Sequence, residues 1–157
     1  MNAATPARLR LAVGASATTL TLDIPATAPR QWHWPLGHAT LWAALPGGPS
    51  PVMIENAIQV VEDQIEAVAR HVPAGARLVA SAVTLAPLQR GGATAGLQQG
   101  AIALAQIERE VQSLAARSMG APSARTLVFD HPAGDALVLI LRECLHHLGL
   151  DAVHLQD

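Results

Sequence analysis

Apolar and polar residues alternate in two short runs near the start of the chain, "RLRLAV" and "TTLTLDI". In the first run, Leu9, Leu11 and Val13 recur at every second position, which is the period of a half-buried β-strand. The intervening "GASA" supplies small residues for a turn, so the two runs predict an antiparallel hairpin. A Pro-rich loop, "PATAPRQWHWP", follows, and we expect the third strand in the next segment, "HATLWAAL".

Helical spacing begins in the middle of the chain. Apolar residues recur every three or four positions over residues 54–72, Ser50 can cap this helix, and Pro51 suits its first position. The next segment, "ARLVASAV", predicts a buried strand. After the loop "TLAPLQRGGATAG", an apolar stripe from Leu97 to Leu114 predicts a second helix.

The last third of the chain predicts another strand, helix and strand. The continuous apolar run in "ARTLVFD" is typical of a strand in the middle of a sheet. We expect Asp135 to cap a third helix, which Gly149 closes. The segment "ALVLILR" is apolar all round, so that helix should be covered by the sheet and by another helix or another subunit. "DAVHLQ" predicts a final edge strand.

This order of elements predicts the fold class. Residues 1–157 should form a single α/β domain with one mixed sheet covered by three helices, with three early antiparallel strands and later βαβ units. The order is similar to the topology of ribonuclease-H-like domains, and the resemblance is architectural only. Two-metal nuclease chemistry needs converging carboxylates, but the first strand carries Arg10 and Ala12 and no acid.

Composition narrows the classes of function. The chain is 50% hydrophobic and only 14% charged, so we expect apolar surface to pack against a second copy, giving a homo-oligomer and most simply a homodimer. The formal net charge of −2 argues against general nucleic-acid binding. All ten basic residues are arginine, so no lysine is available for a Schiff base or a P-loop. An Ala- and Arg-rich chain without lysine indicates GC-rich coding and a bacterial source.

Cysteine usage and hydropathy set further expectations. Cys144 is the single cysteine, which excludes an intrachain disulfide and a cysteine-cluster zinc site. No apolar run approaches the length of a membrane span, so we expect no membrane association. We therefore expect a cytoplasmic protein that carries no cofactor and no metal.

The segment "QWHWPLGHATLW" contains all three tryptophans. If it is extended, Trp32 and Trp34 lie on one face and His33 on the other. Two indoles on one face could bind a ligand ring or a cation. They could equally pack against the core or at a subunit interface, and packing is the interpretation that we favour.

A glycine-rich loop is the second candidate site. "QRGGATAG" leads into the predicted second helix, where Gly91 and Gly92 free the backbone, Arg90 supplies a fork of donors and Thr94 a hydroxyl. A helix N-terminus binds phosphate or carboxylate, so this loop is a candidate anion site. Its spacing does not match the dinucleotide fingerprint GxGxxG, and a plain flexible loop is the alternative.

The third candidate is "FDHPAGD", where Asp130 and His131 follow a predicted strand. An Asp that orients a His makes a general base, although neighbouring strand residues point to opposite faces. If this loop and the glycine-rich loop share one rim of the sheet, Arg90 and His131 would lie in one cleft. A purely structural role, as helix caps, is the alternative.

Two weaker candidates lie on the predicted strands and helices. Glu143 and His147 are four residues apart on one helix face, which suits a metal, but no further ligand is evident. His146 and His147 diverge around the helix and can instead face its negative end, so we expect no metal site. Ser81, near the end of a strand, is the weakest candidate nucleophile.

The sequence leaves two functions open, and whether the chain is an enzyme is undecided. We favour a non-catalytic domain that binds a ligand or partner as a homo-oligomer, because no catalytic set is complete. The alternative is a small-molecule enzyme for an anionic substrate, a phosphate or a carboxylate. There Arg90 and the glycine-rich loop would bind the anion, and His131 would act as acid or base, oriented by Asp130.

Overall fold

The structure is a computed structural model that describes residues 5–42, 48–89, 100–121 and 132–156. These residues form six strands and four helices. The strands are β1 (Arg8–Val13), β2 (Thr18–Asp23), β3 (Arg30–Trp34), β4 (Arg77–Ser81), β5 (Ala101–Ala103) and β6 (Ala152–Gln156). The helices are α1 (Pro51–Ala69), α2 (Ala82–Gln89), α3 (Leu104–Ser118) and α4 (Pro132–His147).

The strands form one mixed sheet in the order β3-β2-β1-β4-β6-β5. β2 pairs antiparallel with both β1 and β3, whereas β1, β4 and β6 run parallel to one another and β5 closes the far edge antiparallel to β6. The predicted α/β class, the single mixed sheet and the ribonuclease-H-like order are confirmed. The hairpin arises from segments in which apolar residues recur at every second position. The parallel crossovers arise from helices in which they recur every three or four positions.

The third strand is not where the hydrophobic pattern placed it. β3 lies in the predicted Pro-rich loop, and the described part of "HATLWAAL" forms a turn instead. The reason is the pairing: Trp32 and Trp34 lie opposite Leu20 and Thr18 of β2, so their indoles extend the apolar face of the hairpin. The flanking prolines bound this strand without interrupting it.

The helices also differ from the prediction in two places. A fourth helix, α2, begins directly after β4: it includes Ala82 and Val83, which we predicted to end the strand, and continues into the segment that we predicted to be loop. The predicted second helix begins later, at Leu104, because residues 101–103 pair with β6 as β5. Residues 90–99 and the predicted strand "ARTLVFD" lie outside the described residues.

The ends of the sheet and of α4 also correct the prediction. β6 is an interior strand, because β5 covers the edge at which we expected it to lie. α4 begins at Pro132, so Asp135 lies in its first turn and is not the N-cap residue. Gly149 closes the helix as predicted: it has a φ of 64°, and the Leu150 amide donates to the Leu145 carbonyl.

The core lies on one face of the sheet. Leu9, Leu20, Leu78 and Val153 are buried on that face, and the described helices cover it. α4 is central to this layer, since it packs against α1, α2, α3 and β6. Every residue from Ala136 to Leu141 is buried, which confirms the prediction of a helix covered on all sides. None of the helices within the described ranges is both long enough and apolar enough to cross a bilayer.

Candidate active site

A shallow cleft opens on the other face of the sheet, which none of the four described helices covers. β1, β4 and β6 are parallel, so their carboxyl ends lie at one edge of the sheet, where open α/β sheets bind ligands. The cleft has a volume of about 390 Å³. It is lined by Arg10, Leu11, Ala12, Thr19, Thr21, Gln31, Ser81 and Gln156.

Small side chains form the floor of the cleft. Leu11 pairs with Ala80, so the next residues along the two parallel strands, Ala12 and Ser81, lie side by side at the carboxyl edge. Neither side chain fills the space above the sheet. Gln156, the last residue of β6, continues this row because Ser81 is its register partner.

The turn that follows β1 is fixed by close backbone contact. The Gly14 and Ala15 carbonyls accept hydrogen bonds from the amides of His38 and Ala39, at 3.0 and 2.8 Å. A Cβ at Gly37 would lie only 2.3 Å from the Gly14 carbonyl oxygen, so this approach requires glycine. The carboxyl end of β1 is therefore held in place before any ligand binds.

Basic side chains dominate the open face. Arg8, Arg10 and Arg77 all lie on it, and the register pairs Arg8 with Arg77. Asp23 is the only carboxylate that the described strands present there. Its Oδ2 accepts from Arg10 Nε at 2.6 Å and its Oδ1 from Arg10 Nη2 at 3.3 Å. Because this pair is exposed, it is weak, and an anionic ligand can compete with Asp23 for the guanidinium.

A chain of hydrogen bonds connects the cleft to a histidine on the edge strand. Gln31 donates from Nε2 to Thr21 Oγ1 at 3.1 Å, and Gln31 Oε1 lies 3.1 Å from His33 Nε2. The other ring nitrogen of His33, Nδ1, lies 3.2 Å from Thr19 Oγ1. Two side chains that line the cleft, Thr19 and Gln31, therefore orient the His33 ring.

Ser81 caps helix α2 at the rim of the cleft. Its Oγ accepts from the Thr84 amide at 3.2 Å and donates to Thr84 Oγ1 at 3.3 Å. The preceding amides of α2 point towards the same edge and bring the positive end of the helix dipole there. Among the described residues, no side chain that could act as a base lies beside Ser81. The structure therefore supports a role for this serine as a helix cap and hydrogen-bond donor.

The two tryptophans of the sequence analysis lie on the opposite, helix-covered face. Trp34 is buried in the core, and half-buried Trp32 stacks on His71 with ring centroids 5.8 Å apart. Arg30 lies over the Trp32 ring at 6.0 Å and contacts His71 Nδ1. Loss of solvent around the ring lowers the pKa of His71, and Arg30 and Arg70 lower it further. This arrangement corresponds to the interpretation in which the two tryptophans pack against the core. Neither of them lines the cleft.

The other predicted site residues lie outside the described residues. Arg90, Gly91, Gly92 and Thr94 follow α2, while Asp130 and His131 precede α4. Their roles, and their sharing of one cleft, stay predictions. Among the described residues, a group that could hold a metal ion lies away from the cleft, on α1 and α4.

Apart from Ser81, the residues that line the cleft were not predicted as site residues from the sequence. Thr19 and Thr21 alternate with the buried leucines of β2, so the strand period places them together on the other face of the sheet. Arg10, Ser81 and Gln156 lie on three different strands, so only the strand order brings them together.

Comparison with known proteins gives structural likeness alone. No family model matches the sequence, and no curated protein sequence is significantly similar. The fold is similar to the PPX-GPPA enzyme of Aquifex aeolicus, with a TM-score of 0.70 and 13% identity over 96% of this chain and 53% of that one. An exopolyphosphatase-like protein matches with a TM-score of 0.60 and 12% identity over 100% of this chain and 57% of that one. An exopolyphosphatase from Cytophaga hutchinsonii matches at 0.59 and 12%, over 97% and 53%.

These likenesses establish the fold, and the chain spans about half the length of the structures it matches. They also correct the main functional prediction. We favoured a non-catalytic binding domain, whereas two of these structures are named as an enzyme and an exopolyphosphatase, and the third is described as exopolyphosphatase-like.

Proposed function

We propose that the chain is an enzyme domain that acts on phosphate-containing anions, and that the substrate binds in the cleft at the carboxyl ends of β1, β4 and β6. The observation that carries the proposal is the likeness of nearly the whole chain to phosphate-processing enzymes. The cleft supports it independently, because it lies at the edge where such sheets bind ligands.

The charge of the open face supports a polyanionic substrate. Arg10 offers a guanidinium group that can bind phosphate oxygens in pairs, and Asp23 is the single opposing carboxylate of the described strands. Arg8 and Arg77 add positive charge to the same face but lie outside the lining of the cleft. The chain as a whole carries a net charge of −2, whereas this one face is positively charged. Such a local positive charge attracts an anion to one place on the surface.

The chemistry required of the protein is mainly positioning and charge stabilisation. Phosphoryl transfer spreads negative charge over the transferred group, and donors aimed at that charge lower the barrier. Arg10, the Ser81 hydroxyl and the N-terminus of α2 are placed to do this. Proton transfer would fall to His33, which Thr19 and Gln31 orient, or to His131 with Asp130 as the sequence predicts.

Phosphate release and thermal unfolding together test this function. The substrates are a linear polyphosphate and p-nitrophenyl phosphate, and tripolyphosphate serves as the ligand in the melting experiment. We expect phosphate release, and a rise in Tm with tripolyphosphate that sodium chloride at equal ionic strength does not produce. Arg10→Gln should weaken binding about 10-fold or more, because it removes a charged donor from the cleft.

The matched control is Arg8→Gln, two residues earlier on the same face of β1 and outside the lining of the cleft. It should leave the Tm shift with tripolyphosphate almost unchanged. Asp23→Asn should strengthen binding several-fold, because Arg10 no longer pairs with a carboxylate. Equal losses in Arg8→Gln and Arg10→Gln would contradict binding in the cleft.

The base can be identified by a second pair of variants. His33→Gln and His131→Gln should affect kcat unequally, and the larger loss identifies the group that transfers the proton. The glycine-rich loop is tested by Arg90→Ala, which should raise KM if Arg90 binds the anion. If phosphate is released by none of these proteins, wild type included, the proposed function is wrong.

We also propose that the chain forms a homodimer. The high apolar fraction and low charge density of the sequence favour self-association. Sedimentation velocity over a range of protein concentrations tests this, and a concentration-dependent dimer is the expected result. A monomer at all concentrations would contradict it.

A further inference from the structure

Three side chains from two helices converge on the helix-covered side of the molecule. His147 Nε2 lies 3.0 Å from Glu62 Oε1 and 3.2 Å from Glu143 Oε2. Glu62 belongs to α1, while Glu143 and His147 lie one turn apart on α4. All three ligand atoms lie within 4.8 Å of one another.

Glu143 is the unusual member of this cluster. Its side chain is completely buried, and its Oε1 accepts a hydrogen bond from Arg142 Nη1 at 2.6 Å. Its other oxygen, Oε2, has no hydrogen-bond partner within the described residues, although it points at the cluster. An unpaired oxygen of a buried carboxylate is costly, so something beyond these contacts should satisfy it.

One histidine cannot satisfy both carboxylates. The single hydrogen on Nε2 makes a hydrogen bond with Glu62. The contact between Nε2 and Glu143 Oε2 is therefore close but is not a hydrogen bond. A cation between the three atoms would contact all of them at once. The cation would also neutralise the negative charges of Glu62 and Glu143. Of these two carboxylates, Arg142 pairs with Glu143 alone.

The spacing of the atoms suits a small divalent ion. Ligand atoms around a metal with bonds of 2.0–2.1 Å lie about 3.3 Å apart in a tetrahedron and about 3 Å apart in an octahedron. The distances of 3.0 and 3.2 Å at His147 fall in this range. The imidazole nitrogen disfavours calcium and magnesium, which prefer oxygen ligands alone, and favours a first-row transition metal.

We propose that Glu62, Glu143 and His147 form a binding site for a divalent transition metal such as Zn²⁺, which links α1 to α4. The site reverses the expectation from sequence, where no further ligand for Glu143 and His147 was evident. Glu62 is that ligand, and it lies 85 residues from His147 in the chain. Because His147 is partly exposed, water completes the coordination.

The site is structural and separate from the cleft. It lies in the helix layer, on the other side of the sheet from Arg10 and Ser81. The neighbouring Cys144 is not part of this cluster, because its side chain is fully buried in the hydrophobic core. The metal should therefore stabilise the packing of α1 on α4, whether or not the chain has the proposed activity.

Metal titration of untagged, metal-free protein tests the proposal. Zn²⁺ at about 100 times its Kd should raise Tm by about 5–10 °C. Calorimetry should give one equivalent of tightly bound Zn²⁺, and bound Co²⁺ should show visible d–d absorption. Mg²⁺ at the same concentration should have no effect.

Two pairs of variants assign the ligands. His147→Gln and Glu62→Gln should each weaken Zn²⁺ binding at least about 100-fold, since loss of a ligand exceeds the 10–100-fold loss found for supporting residues. The matched controls are His146→Gln, next to His147 and with its ring edge-on to it, and Glu55→Gln, two turns earlier on α1. Both controls should bind Zn²⁺ as wild type does.

The proposal is overturned if Zn²⁺ neither binds the wild-type protein nor raises its Tm, because the cluster is then only a histidine–carboxylate contact. It is also overturned if His147→Gln keeps its equivalent of Zn²⁺ or if His146→Gln loses it. Glu62 and His147 lie at the surface of the helix layer, so their amide variants should fold. Far-UV circular dichroism of each metal-free variant checks this.

Discussion

The two faces of the six-stranded sheet come from the same strands, yet they differ in composition, cover and charge. On one face, leucines and valines of β1, β2, β4 and β6 are buried beneath four helices. On the other, threonines, arginines and glutamines of the same strands surround a shallow cleft. Strand alternation produces both faces at once, because successive side chains point in opposite directions.

The comparison separates stability from chemistry. The covered face removes apolar surface from water and supplies most of the free energy of folding. The open face adds little to that free energy, so its arginines and hydroxyls can serve binding. The charges differ as well: α1 carries Glu55, Glu62, Asp63 and Glu66 and no arginine, whereas the described strands present three arginines and one acid on the open face. Anions and cations should therefore bind on opposite sides of the sheet.

A cavity on the covered face should have the largest effect. Leu137 is fully buried in α4, so Leu137→Ala should lower the free energy of unfolding by about 3–5 kcal/mol. Urea denaturation measures the loss. The matched control is Val52→Ala on α1, where the side chain is 68% exposed and the change should stay within about 0.5 kcal/mol. Similar losses for both would mean that α4 is not the centre of the core.

The next effect comes from the ion pair between α3 and α4. Arg117 Nη2 lies 2.7 Å from Asp135 Oδ1, and the Asp135 side chain is only 8% exposed. Arg117→Ala should cost about 2–3 kcal/mol, because it leaves a buried carboxylate without this partner. The exposed counterpart on the open face is Arg10–Asp23, and Arg10→Gln should cost less than about 1 kcal/mol. Equal costs would remove the distinction between the faces.

A change in the floor of the cleft should separate binding from stability. Ala12→Val places a β-branched side chain on a strand, so the free energy of unfolding should change by less than about 1 kcal/mol. The added methyl groups occupy the cleft, and the Tm shift with tripolyphosphate should disappear. Ala12→Ser is the control that adds little volume, and it should keep the shift. A variant Ala12→Val that still responds to tripolyphosphate would place the anion elsewhere.

The covered face was largely predictable from sequence, because local periodicity encodes it. The hairpin, α1 with its Ser50 cap, and the all-apolar α4 follow from spacings of two and of three to four residues. The exceptions are segments with weak periodicity. β3 lies between prolines, and α2 contains Pro87 and has no distinct apolar stripe. Their positions depend on pairing with β2 and on packing beneath the sheet.

The open face and the metal cluster were much less predictable, because both depend on contacts between distant segments. Nothing near Arg10 in the sequence indicates that Ser81 and Gln156 will lie beside it. The same holds for Glu62, whose partners lie on the last helix. Periodicity identifies which face of an element is buried, but the identity of its neighbours follows only from the strand and helix order.

The smallest expected effect is a pH dependence from the open face. Partial burial lowers the pKa of His154, and the neighbouring Arg77 lowers it further. The folded state then binds fewer protons than the unfolded state at pH values between the lowered pKa and the ordinary value of about 6.5. Stability should therefore fall as the pH drops below about 6.5, level off below the lowered pKa, and be independent of this group above neutrality.

His154→Gln should reduce this loss, and Arg77→Gln should reduce it by a smaller amount, since burial is the larger cause. Urea denaturation at pH 7.5 and 5.5 gives the comparison for each variant. His71 has a pKa lowered in the same direction, so His154→Gln should retain part of the dependence, and the variant lacking both histidines should retain less. If His154→Gln instead steepens the loss towards pH 5.5, the ring gains a favourable partner when protonated. The open face would then be less basic than its three arginines imply.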